Sequence, residues 1–121
     1  MLLLVSVFAA LSLNAAQPAE RITDWREAVR CLAAFETAAS KSFAAHVQDP
    51  DAGHDDRAVR YDDMAMSLIG SMGERFTFAR LEQAETIRSR EADALEARSM
   101  EEVQAVADQC RARLPDPPVM P

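Results

Sequence analysis

Two cysteines, two histidines and a run of aspartates are the residues of this chain whose types and spacing could do chemistry. Cys31 and Cys110 are the only cysteines, and they are not spaced as C-x-x-C, which leaves a thioredoxin-like redox role and covalent haem attachment without support. In an oxidising compartment such a pair reads as one disulfide, whereas in the cytosol it would be two thiols. The bond would close a loop spanning most of the chain. In the chain-entropy treatment a loop of that size is worth ~4.5 kcal/mol, an upper figure because unfolded chains keep some structure.

His46 and His54 flank a loop that also carries Asp49, Asp51, Asp55 and Asp56. Imidazole with carboxylate suits zinc, nickel or copper, and a loop can bring two rings to one ion. A metal site built from His46, His54, Asp51 and Asp55 is therefore the alternative functional reading of the chain. The two histidines are not at i, i+4 on one helix, as in H-E-x-x-H. The run "DPDAGHDD" also departs from a calcium loop, with Gly53 where the third ligand belongs and His54 where the glycine belongs. Aspartate is equally an ordinary residue of turns and helix starts. Met64, Met66, Met72 and Met100 could offer thioethers to copper(I), but Met64 and Met66 fall on different sides of a helix, and methionine is a common filler of core gaps.

No catalytic constellation is assembled. There is no G-x-S-x-G, and Asp62 with Asp63, like Glu101 with Glu102, are sequence neighbours that diverge on a helix. No cofactor is expected. Trp25, in the first turn of the first helix, has two readings: an anchor for a binding interface, since aromatics are enriched at hot spots, or a lid on the end of the core.

Compartment decides what the cysteines do, and the N-terminus bears on compartment. The stretch "MLLLVSVFAALSLNAAQPAE" is apolar from Leu2 to Leu13, has no charged side chain before Glu20, and then turns to small residues and Pro18. Residues 1–19 are expected to be a secretory signal peptide, the apolar run being short of the ~20 residues that span a bilayer. The expected location is periplasmic or secreted, with no stable membrane insertion of the mature chain.

The elements that must position these residues are helices. Trp25, Val29, Leu32, Phe35, Ala39, Phe43 and Val47 recur in steps of three and four and trace a face. Asp24 can cap that helix, with Glu27 placed to complete a capping box. Pro50 and Gly53 break the pattern. A second helix is expected from Asp55 or Asp56, with Tyr61, Ala65, Leu68 and Met72 in one stripe and Gly70 and Gly73 weakening or ending it. A third, over 74–98, is rich in helix formers but less cleanly amphipathic. A fourth has Ser99 and Glu102 as a capping box and Val103, Val106, Ala107, Cys110 and Leu114 as its stripe, stopped by Pro115.

The fold class that follows is all-α, a small antiparallel bundle of about four helices over residues 20–114, with a proline-rich disordered tail at 115–121. Short connections make the helices run up and down in turn, so the first and last are antiparallel neighbours. Cys31 near the start of one and Cys110 near the end of the other then meet at the same end, and a disulfide clasps the bundle.

Composition limits the function. In 121 residues, 13 Lys and Arg face 20 Asp and Glu, a formal charge of −7. Nucleic acid is excluded as a partner, because a sequence-independent grip on phosphates depends on an excess of cations. An exported, acidic helical domain without a built active site is expected to be non-enzymatic and to bind another envelope protein, in an inhibitor, immunity or chaperone-like role, its acidic surface favouring a basic partner.

Overall fold

The chain as described by a computed structural model comprises residues 20–73 and 78–114. The expected signal segment, the beginning of the third helix and the proline-rich tail lie outside the described residues. Within them are four helices, α1 (Trp25–Gln48), α2 (His54–Gly73), α3 (Phe78–Glu96) and α4 (Met100–Arg113), and no strand. The all-α bundle expected from periodicity is the one observed, and Cys31 and Cys110 are joined with their Cα atoms 5.6 Å apart.

Local chemistry starts and stops these helices. At the head of α1 the Asp24 side chain accepts the Arg26 amide at 3.1 Å, which satisfies one of the donors a helix start leaves open. Glu27 does other work than the expected box: it pairs with Arg113 of α4 at 2.7 Å. After Asp49, whose amide returns to the Ala45 carbonyl at 2.9 Å, the chain turns through Gly53 at φ 80°, a left-handed conformation that residues with a Cβ rarely adopt. At α4 the Ser99 hydroxyl oxygen accepts the Glu102 amide at 3.2 Å, as the sequence signals. The second helix begins at His54, just ahead of the expected aspartates, and runs past Gly70 to Gly73.

The centre of the bundle is α1. Each of the other three helices packs on it and meets the rest only slightly. Over its first half α1 is buried on nearly every side, through Ala28, Val29, Cys31, Leu32, Ala33, Ala34, Phe35 and Ala38. Small side chains make this possible, since alanine lets neighbouring backbones approach while Val29, Leu32 and Phe35 fill the spaces left. Burying each of those three contributes about 1.5–3 kcal/mol.

The face drawn from large apolar residues fails beyond Phe35. Phe43 and Val47 are 61% and 65% exposed, while Ala38 and Ser42 are fully buried. Four-residue steps carry the reason: each advances about 40° beyond a full turn, so Val47 lies about 120° around the helix from Phe35. The true seam continues through Ala38 and Ser42, whose small side chains gave no hydrophobic signal.

Paired residues fix the directions. Ile22 donates its amide to the Arg113 carbonyl at 3.0 Å, Cys31 is bonded to Cys110, and Gln104 Nε2 donates to Ser42 Oγ at 3.0 Å, so α4 runs antiparallel to α1. On the opposite register, Glu36 pairs with Arg88 and Lys41 with Glu96, so α3 runs parallel to it. The hairpin at 49–53 makes α2 antiparallel. The up-and-down order expected from short connections is therefore present, with α2 and α4 pointing the same way on either side of α1.

Candidate functional site

Between α2 and α4, above α1, lies an open groove of about 1080 Å³. Its floor is apolar: Phe35 from α1 and Leu68 from α2, both buried. One wall comes from α2, where Arg57, Arg60, Tyr61, Met64 and Ser67 recur at helical spacing. The other comes from α4, with Gln104, Asp108, Arg111 and Ala112, and Leu114 closes the end.

Tyr61 ties the walls together. Its ring is buried, and its hydroxyl donates to Asp108 Oδ1 at 2.9 Å. Burial first, then the hydrogen bond and negative charge of Asp108, push the phenol up to about 12, while the positive charges of Arg57 and Arg60 pull it the other way. At neutral pH the hydroxyl is thus a fixed donor to Asp108.

The described cations divide into paired and unpaired ones. Arg26, Lys41, Arg88, Arg98 and Arg113 each pair with an Asp or Glu. The side chains of Arg57, Arg60 and Arg111, like those of Arg21, Arg30 and Arg90, make no ion pair or hydrogen bond among the described residues. Against them the lining holds two acids, Asp63 and Asp108, the second already engaged by Tyr61. In a chain of charge −7 this one concavity has cations in excess. An apolar floor under a polar rim with spare guanidiniums can bind a ligand that is apolar on one side and anionic on another.

The residues singled out by sequence are placed as follows. Cys31 and Cys110 form the clasp at the end where α1 begins, beside the Arg113–Glu27 pair. Trp25 is buried in the core cluster, with the guanidiniums of Arg26 and Arg80 over its ring at 4.9 and 5.7 Å. His46 lies in the last turn of α1 with its ring 6.5 Å from that of Phe43, and His54 opens α2. The Nδ1 atom of each is buried without a hydrogen-bond partner, and Asp51 and Asp55 are exposed. Among the described residues no three or more His, Cys, Asp and Glu side chains gather as a metal ion would require.

Sequence reading missed Arg57, Arg60, Asp108 and Arg111 as members of one site. Arg57 and Arg60 stand four and one residues before Tyr61, the first large residue of the α2 stripe, and that signal was available. The facing pair was readable only through the disulfide: once Cys110 is turned toward Cys31, Asp108 and Arg111 fall on the side of α4 toward α2.

Among the described residues no helix is long and apolar enough to cross a membrane. Compared with known proteins, the chain matches no family model, no curated protein and no solved structure.

Proposed function

We propose that this chain is an exported helical protein that binds another protein of the cell envelope, in an inhibitor, immunity or chaperone-like role, and carries out no catalysis. The observation that supports this reading is the groove between α2 and α4, with its apolar floor of Phe35 and Leu68 and three arginines uncommitted to any partner. Leaving guanidiniums free beside apolar surface gains nothing for folding and suits a docking face. The Cys31–Cys110 bond supports an oxidising location, periplasmic or secreted, and holds the α4 wall in place before a partner arrives.

Charge acts at two ranges. The net −7 acts on approach and favours a partner that is basic overall. The arginines act only at contact, within a Debye length of ~8 Å at physiological ionic strength.

The test is capture with the oxidised chain from an envelope extract of the native host, at low and then raised salt, followed by reconstitution with the purified candidate. A one-to-one complex whose association slows with salt supports the proposal. Loss of every candidate on reconstitution, with the bait shown to be folded, overturns it.

A further inference from the structure

We infer that the groove seats an acidic amphipathic helix of the partner, an inference that rests on the protein-binding reading above. The groove has the dimensions of a helix. Its α2 wall, from Arg57 to Leu68, is about 16 Å long at 1.5 Å per residue, roughly three helical turns, and a helix of that length would lie part-embedded in the open groove of about 1080 Å³. α2 and α4 run the same way and meet only slightly, so a helix laid between them completes the packing around α1.

Chemistry selects the sign of that helix. Met64 and Leu114, half-buried in the groove above the buried Phe35 and Leu68, call for apolar residues on the facing side of that helix. Arg57 lies one turn before Tyr61 on α2 and Arg111 one turn after Asp108 on α4, and the Tyr61–Asp108 bond sets the two helices level. The two guanidinium-bearing positions are therefore about 10 Å apart along the groove, which matches carboxylates seven residues apart on a helix. An acyl chain ending in a carboxylate would use one arginine only, and would leave the second guanidinium and the Ser67 hydroxyl on the rim without partners.

The probe is a fluorescein-labelled helical peptide of roughly 14 residues, about 21 Å long, with that apolar side and two Glu seven residues apart. It is titrated by anisotropy into the oxidised full chain. Saturable binding is expected, weakened roughly tenfold by Arg57→Gln with Arg111→Gln, by Glu→Gln in the peptide, and left unchanged by Arg90→Gln on α3. Circular dichroism and thermal melts confirm that each variant is folded. Equal binding of a Lys-for-Glu peptide, or displacement of the Glu peptide by a long-chain fatty acid at lower concentration, overturns the inference. The captured partner supplies the second arm: one retained equally by wild type and by the double arginine variant leaves protein binding intact and removes the groove as its seat.

Discussion

The Tyr61 hydroxyl donates to Asp108 Oδ1 across the floor of the groove, and among the described residues it is the one side-chain hydrogen bond between α2 and α4, which otherwise lean separately on α1. Removing it with Tyr61→Phe leaves the ring in the core and Asp108 facing water. A cost of about 1 kcal/mol at neutral pH is expected, read from chemical denaturation.

The same residue predicts the alkaline limit of the fold. Its phenol is pushed up to about 12 from 10.0, so the fold favours the protonated form. That stabilisation is fully present below about pH 10 and is lost as pH rises toward 12. Tyr61 is the only tyrosine of the chain, so ultraviolet titration reads it directly. Stability should fall between those pH values in wild type, with a smaller fall in Tyr61→Phe. A phenol titrating near 10 in the folded chain would show that the burial and the bond are absent in solution.

The clasp makes a separate prediction. Non-reducing peptide mapping should recover Cys31 joined to Cys110 within one chain. Reduction should lower the melting temperature while leaving the helical spectrum at low temperature largely intact, with a loss of at most ~4.5 kcal/mol. Two thiols in material from an oxidising compartment would contradict it.

Substitutions along α1 distinguish its real seam from the one that large side chains suggest. Ala38→Leu forces three further carbon atoms into a fully buried contact and should cost about 1–3 kcal/mol. Phe43→Ser and Val47→Ser, at exposed positions, should each fall within about 0.5 kcal/mol of wild type. Were the two serine changes the more damaging, α1 would be rotated from the orientation described.

That contrast also measures how far sequence reasoning reached. The stripes of α2 and α4 were legible because their buried positions carry large residues, Tyr61, Leu68, Met72 and Val103 among them. α1 was legible as a helix but not as the hub, since a helix buried on most sides in alanine looks amphipathic only through its few large residues. The clasp followed from the expected oxidising compartment together with the antiparallel placement of the first and last helices. The groove did not, because Arg57 and Arg111 are far apart in the chain and share a site through packing on α1, the Tyr61–Asp108 bond and the disulfide. The polar ties that seat α3, where Glu36 meets Arg88 and the Lys41 ammonium donates to the Glu96 carbonyl at 3.0 Å, join residues 52 and 55 positions apart and leave no local pattern in the sequence.

The disulfide sits toward one end of α1, and this unequal placement sets an order of opening. Beyond Ala38 the helix is held to α4 through the Gln104–Ser42 hydrogen bond and to α3 through Lys41, with no covalent link. Amides near Cys31 should therefore exchange with solvent only on global unfolding, while those from Phe43 to Gln48 exchange through local fraying, a gradient along a single continuous helix. The groove inherits it. Arg57 and Gln104 stand at the fraying end and Arg111 beside the clasp, so an entering helix would meet a mouth that can widen at one end while the other stays fixed.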